Sequence, residues 1–408
     1  MRFIARDVGD GVCVCLTFAV GMDSARDPRS AQLAHYAEHM CARLGARVQR
    51  LLDLAAVKAN AWTDGELTCF FAVGAVGPVL RVWLPAIVAS LRAPDLSDAR
   101  VRSEAHAARA EIELAAQAPR AALDELIAKV EAPYSGGTSW RAQSAYLARL
   151  AKSPAKARVA VARFARAHYA RAHALAIGHA RHRAAIEAAV EGALGARSTR
   201  LEIAAHPESA CSGFGYGAWH EVPSHGNAHA HAHVEVRLAI RGSEATEAVH
   251  CVAEILRGQM MRELRDRRGL VYSVFVGAAY LARSRPARES GNYRAWLCVA
   301  TSCAPLRAAE TVRAILACAR RARARAPRIE AWRRGVRLAR HVAPEGLGPL
   351  ALGFVLDCAE QRAVRTPEMQ ARAADEMPDE LARETMRRVR DSAARRRYVV
   401  YSLGAAEA

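Results

Sequence analysis

Apolar and polar positions along this chain follow two alternating periods. Residues 11–20, GVCVCLTFAV, form an unbroken apolar, β-branched run and predict a central strand. After a turn from Gly21 to Pro28, the spacing lengthens to three and four. From Arg29 onward Leu33, Ala37, Met40 and Leu44 share one helical face, with Gly45 as its expected stop. VQRLLDLAAVKA predicts a second helix. Residues 60–65 lead into a strand over Thr68–Val73, and helices follow over Val79–Leu91 and Leu96–Gln117. Pro133–Gly137 reads as a loop, 141–172 as helix, Ala174–Gly178 as a short strand and 181–195 as helix.

From 203 to 227 the helical period disappears and Gly and Pro accumulate, which predicts a linker. HVEVRLAIRG then alternates as a strand does, and a helix is expected over 245–265. RRGLVYSVFVGAAYL reads as a turn into a strand, and Arg294–Ser302 as another. Helices are predicted over 305–325, 328–342, 347–362 and 379–394, with a closing strand over Arg397–Ser402. This order repeats the first half element by element. The expected fold is α+β: two similar halves, 1–202 and 228–408, joined by 203–227, each a mixed, mostly antiparallel sheet flanked by helices.

Composition narrows the function classes. At 408 residues the chain exceeds one typical core, and 52% hydrophobic content, much of it Ala, is ample for globular folding. No run of about 20 apolar residues occurs, so no membrane span is expected, and the start does not fit a secretory signal. Ten scattered cysteines without a C-x-x-C pair suggest buried free thiols in a reducing cytoplasm. The net charge of +18 comes from Arg spread through Ala-rich helical segments, as in RRARARAPRIEAWRRGVRLARH. Solvated Arg faces explain it, and without a binding motif nucleic acid is not an expected partner. Attraction of an acidic peptide is a weaker second reading. An anionic-surface or nucleic-acid binder would instead show binding that weakens steeply with salt.

The chemistry concentrates in AQLAHYAEHMCARLG. Gln32, His35, Glu38 and His39 are three or four apart and share a helix face. Two histidines at i and i+4 can reach one metal ion. Glu104 and Glu111, seven apart on a later helix, also share a face, and a site with two histidines still lacks a third protein ligand. A competing metal reading rests on His225, His229, His231 and His233; the plainer reading makes them a linker running into a strand.

Taken together, these residues resemble the insulinase (pitrilysin) family, which includes mitochondrial processing peptidase and bacterial relatives of similar length. His35-x-x-Glu38-His39 followed by Met40 looks like its inverted zinc motif. Asn60-Ala61-Trp62-Thr63 and the Thr68–Val73 strand look like its N-A-x-T segment and the edge strand beside the active site. Glu104-x6-Glu111 looks like its paired glutamates, and Leu264-Arg265-x3-Gly269-Leu270-x-Tyr272-Ser273 like its C-terminal signature.

The resemblance implies one zinc per chain on His35, His39 and Glu111, with Glu38 as proton acceptor and Glu104 as a supporting acid. It implies Arg265 and Tyr272 as substrate contacts from the C-terminal half, with Asn60, Ala61 and Trp62 lining the peptide. The expected activity is metalloendopeptidase action on extended peptides enclosed between two clamshell halves, such as a precursor or leader peptide. The peptide would add as a strand beside residues 68–73. A homodimer, or a heterodimer with a related chain, is an expected partner arrangement. The alternative is a peptide-binding or partner subunit that does not cut. Two departures stand out. The family's leading strand is shortened or absent, and Ala37 and CARLGAR replace a bulky apolar residue and a Gly-Thr.

Overall fold

A computed structural model describes residues 1–21, 31–64, 67–118, 120–135, 140–195, 216–222, 231–241, 246–280, 294–339 and 366–404. The chain divides into two compact units. The first holds β1 (Arg2–Ala5), β2 (Gly11–Phe18), β3 (Lys58–Thr63), β4 (Thr68–Ala75) and β5 (His173–Gly178), in sheet order β1-β5-β2-β4-β3. The second holds β6 (Trp219–Val222), β7 (Ala232–Arg241), β8 (Val271–Tyr280), β9 (Arg294–Cys303) and β10 (Tyr398–Leu403), in order β6-β10-β7-β9-β8. The two orders match strand for strand. In each sheet only the first strand pairs in parallel, β1 with β5 and β6 with β10; the other pairs are antiparallel. The fold is α+β.

β2 reads as a continuous apolar run because both its faces are covered. Val12, Val14, Leu16 and Phe18 meet the helices, while Cys13 and Cys15 join Ile4, Cys69, Leu175 and Ile177 on the other face. In the first unit the helices are α1 (Ala31–Ala42), α2 (Ala46–Leu54), α3 (Val76–Pro78), α4 (Leu84–Arg92), α5 (Asp98–Ala116), α7 (Trp140–Lys152), α8 (Pro154–His168) and α9 (Arg183–Leu194). A π-helical turn, Val79–Trp83, joins α3 to α4. Between α5 and α7 the chain forms α6 (Ala121–Ser135), which packs with the second unit. There Leu123 and Ile127 cover Trp296, Cys298, Val399 and Tyr401. Arg120, just ahead of α6, pairs with the buried Glu235, which also pairs with Arg237. The second unit adds α10 (Thr246–Met260), α11 (Ala308–Arg321), α12 (Ala326–Ala339), α13 (Pro367–Glu376) and α14 (Asp379–Ala394). A π-helical segment, Met261–Arg267, extends α10.

Several boundaries differ from expectation. Gly45 does not end α1, which stops at Ala42; it takes an extended conformation as the N-cap of α2. The chain turns after α2 through Ala56, in the left-handed region at φ 52°. Lys58 onward is therefore strand, and the lead-in to β4 is itself β3. Residues 141–172 hold two helices, separated where Ser153 precedes the N-terminal Pro154 of α8. Pro133–Ser135 end α6 rather than forming a loop. Trp219–Val222, inside the expected linker, is strand β6. The leading strand β1 is present with four residues. Residues 203–215 and 223–227 of the linker, and the helix expected over 347–362, lie outside the described residues. Among the described residues no helix is long and apolar enough to cross a membrane.

Candidate metal centre

Helix α1 is held by its neighbours on nearly every side. Ala34, Tyr36, Ala37, Met40 and Cys41 are fully buried. The Tyr36 hydroxyl donates to the Val101 carbonyl at 2.7 Å, tying α1 to α5. Arg100 donates to the carbonyls of Met40 (3.1 Å) and Arg43, satisfying acceptors that the end of a helix leaves open. A helix fixed this way can aim side chains with little freedom.

It aims two imidazoles at one point. His35 Nε2 and His39 Nε2 are 3.1 Å apart, and Glu111 Oε2 from α5 lies 3.4 Å from the first and 3.5 Å from the second. Donors bound to one tetrahedral zinc at about 2.0–2.1 Å stand about 3.3 Å from one another. The triangle of two nitrogens and one oxygen therefore fits such an ion. The His35 and His39 side chains are only 15% and 13% exposed, whereas Glu111 is 61% exposed, so the triangle opens toward solvent on the Glu111 side.

The outer nitrogens of the two rings meet different partners. His35 Nδ1–H donates to Gln32 Oε1 at 3.0 Å. His39 Nδ1 lies 3.6 Å from Glu104 Oε2, and Arg43 pairs with the other oxygen of that carboxylate. Burial favours the neutral acid at Glu104, but the hydrogen bonds from His39 and Arg43 outweigh it and hold its pKa below the usual carboxylate value. Burial also disfavours charge on His39, yet Glu104, Glu38 and Glu111 together raise its pKa above the ordinary imidazole value. His35 lacks that support: burial, then the nearby His39, push it down to about 4.

Glu38 points into the same space. It is 7% exposed, and burial pushes its pKa up to about 7 against the pull of His39 and of a hydrogen bond from Thr63. That bond, Thr63 Oγ1 to Glu38 Oε2 at 3.3 Å, ties the carboxyl to β3. His35, Glu38 and His39 each offer a donor atom, and these three atoms lie within 4.8 Å of one another.

The other expected site residues are placed as follows. Ala61 packs on the helix side of β3, the side to which Thr63 also points, while Trp62 packs on the opposite face. Asn60 Oδ1 accepts the backbone N–H of Ala61 at 2.9 Å. β4 lies between β2 and β3, so both its edges are taken, and β3 is the outer strand of the sheet. A peptide added as a strand would pair with residues 58–63, not with 68–73.

Arg265 and Tyr272 lie in the second unit. The Arg265 guanidinium sits 5.0 Å over the Tyr272 ring, which is 81% exposed. The letters of that signature have local reasons. Leu264 and Leu270 are buried, and Gly269 takes φ 56°, where a side chain would be strained. The turn is closed by Gly269 N–H to Arg265 O (2.9 Å) and Leu270 N–H to Leu264 O (2.8 Å). Of the competing histidines, His225 and His229 lie outside the described residues; His231 is exposed, and His233 on β7 hydrogen-bonds Ser302 Oγ at 2.9 Å. Spacing alone gave no role to Gln32, Thr63 or Arg43. The first shares the motif's helix face and the second closes the N-A-x-T segment, so both carried a signal; Arg43 did not.

No family model and no curated protein matches the chain. Solved structures do. A protease from Helicobacter pylori matches over 98% of this chain and 95% of its own, with a TM-score of 0.71 at 11% identity. The first half of the periplasmic protease PqqL from Escherichia coli matches over 99% and 91%, with a TM-score of 0.70 at 11% identity. A peptidase M16 inactive domain from Pseudomonas fluorescens matches over 100% and 95%, with a TM-score of 0.65 at 14% identity. The chain has the fold that these three structures share, a peptidase M16 domain among them. Against whole PqqL the chain spans 43% of that protein. At these identities the likeness is one of fold. Since the Pseudomonas fluorescens M16 domain is described as inactive, the fold leaves catalysis to the site residues.

Proposed function

We propose that the chain is a zinc-dependent endopeptidase for extended, unfolded peptides. The observation that carries this reading is the donor triangle of His35, His39 and Glu111, with the buried Glu38 beside it. His35, His39 and Glu111 would hold one zinc, with Glu104 orienting His39. When bound, zinc acts as a Lewis acid and makes water acidic enough to ionise near neutral pH. Glu38 accepts the proton of the attacking water and returns it to the leaving amine. The peptide adds along β3, so backbone hydrogen bonds supply much of its affinity. Ala61 lies on the metal side of that strand, and Asn60 and Trp62 contact the peptide from its other face. Tyr272 donates to the developing oxyanion, and Arg265 holds the substrate beside it.

In this reading residues 1–202, apart from α6, form the catalytic domain and 228–408 the homologous domain supplying Arg265 and Tyr272, with 203–227 between them in the sequence. Because the chain spans one half of PqqL, a second copy or a related chain is the expected partner. The eight described cysteines are buried and free, which supports a cytoplasmic location. The second reading, a peptide-binding subunit that does not cut, is favoured by the M16 domain described as inactive.

Metal analysis combined with cleavage of a quenched peptide library separates the two. One zinc per chain, with chelator-sensitive cleavage that Glu38→Gln abolishes, supports the peptidase. Zinc without cleavage, also in the presence of a related partner chain, supports the subunit. No metal overturns the zinc reading.

A further inference from the structure

The two histidines of the metal triangle are oriented by chemically unlike groups. His39 faces a carboxylate, Glu104, which can only accept a hydrogen bond. His35 faces the amide of Gln32, which carries an acceptor oxygen and a donor nitrogen and lies one turn earlier on α1. Gln32 is 1% exposed. Burying an amide costs free energy unless its polar atoms are matched, and an apolar side chain would fill that position at lower cost. Its oxygen is 3.0 Å from His35 Nδ1.

We propose that Gln32 is a positioning residue of the metal site, which selects the Nδ1–H form of His35 and so leaves Nε2 free to bind the ion. This deepens the zinc reading and rests on it. A neutral imidazole carries its proton on one nitrogen, and the partner of one nitrogen decides what the other can do. With the Gln32 oxygen at Nδ1, the proton is held there and the Nε2 lone pair faces His39 Nε2 and Glu111 Oε2. With the amide reversed, its N–H would require a lone pair at Nδ1, the proton would move to Nε2, and the metal-facing nitrogen would be blocked. The amide is also the acceptor that adds no charge. Glu38, Glu104 and Glu111 already bring three carboxyl groups to this space, and a fourth beside the buried His35 would oppose ionisation of the others.

The test is zinc affinity, measured on the whole chain at pH 7 by competition with a chromophoric chelator. Gln32→Met keeps the length of the side chain without the acceptor, and its affinity is expected to fall about 10- to 100-fold, the usual cost of removing such a partner. Gln32→Glu restores the acceptor but adds a buried charge, so it is expected to recover part of that loss, which a role in packing alone would not produce. Wild-type affinity in Gln32→Met would overturn the proposal while leaving the zinc reading intact. A wild-type chain that binds no zinc would overturn both. Long-range proton–nitrogen NMR of the metal-free wild type reads the tautomer without any substitution and covers the case in which Gln32→Met fails to fold. His35 as the Nδ1–H form is the expected result; a predominant Nε2–H form would overturn the proposal.

Discussion

The two units share one frame and use it differently. α1 follows β2 as α10 follows β7, in sheets of identical order. In α10 the buried positions are apolar: Val249, Val252, Ile255, Leu256 and Met260 are among them. α1 buries Gln32 and Glu38 between Ala34, Tyr36, Ala37 and Met40. A buried carboxyl is costly, and burial pushes the Glu38 pKa up to about 7. One copy of the frame uses the buried face of its helix for apolar packing alone; the other packs its helix as closely and adds polar groups that converge on a point. The exposed polar signature of the second unit lies instead at the end of α10, where a π-helical segment leads into the Arg265–Tyr272 pair.

The largest effect should come from exchanging one group in each helix. Glu38→Gln is expected to lower peptide cleavage by about 10²- to 10⁴-fold, with zinc content unchanged, as read by fluorogenic cleavage and metal analysis. Leu256→Ala, in a fully buried position of α10, should cost about 2–5 kcal/mol of stability in chemical denaturation and leave zinc content at the wild-type level. If Leu256→Ala removed zinc, or Glu38→Gln left cleavage untouched, the division of labour between the units would be wrong.

Much of this frame is legible in the chain, and the reasons are local. The GVCVCLTFAV run announces β2 because a strand covered on both faces needs apolar residues throughout. Spacing alone puts His35, Glu38 and His39 on one face of α1. Other elements are set by partners distant in sequence. β6 is four residues long and is defined by pairing with β10, some 180 residues later, so WHEV carries no signal of its own. β3, KANAWT, is an edge strand with its first three residues exposed, so its hydrophobic pattern is faint. The sequence of α6 suits a helix, but nothing in it says that it packs on the second sheet rather than the first. At the site, a spacing of seven aligns Glu104 with Glu111. Only the packing of α5 on α1 brings one of them to His39 Nδ1 and the other to both Nε2 atoms.

The buried carboxyl also gives the metal-free chain a pH signature between about 4.5 and 7, whereas the buried titratable group of α10, the Cys251 thiol, is pushed up to about 12. Below its unfolded pKa, near 4.5, Glu38 is protonated whether the chain is folded or unfolded. Between that value and about 7 the unfolded chain loses the proton while the folded chain keeps it, so stability falls as pH rises. A rise from 4.5 to about 7 corresponds to about 3 kcal/mol. Metal-free Glu38→Gln should therefore match the wild type near pH 4 and exceed it by up to about 3 kcal/mol at pH 8 in denaturant titrations. Equal stabilities at both pH values would mean that Glu38 is not held away from water. Substituting Glu104, which backs His39, should have a smaller and different effect. Glu104→Ala is expected to weaken zinc binding about 10- to 100-fold in chelator competition, and no residue of α10 should act in this way.

The smallest effect on stability is expected at the Arg265–Tyr272 pair, and its smallness is informative. Tyr272 is 81% exposed and the guanidinium lies 5.0 Å above its ring. Exposed cation–π pairs contribute about 0.5–1 kcal/mol, so Arg265→Ala should shift the denaturation midpoint only slightly and leave zinc content unchanged. If Arg265 positions substrate, its loss should raise KM more than it lowers kcat, since the binding removed is common to the ground and transition states. A loss confined to kcat would move Arg265 toward the oxyanion role assigned to Tyr272. No kinetic change at all would confine function to the first unit and leave the second as a frame without chemistry.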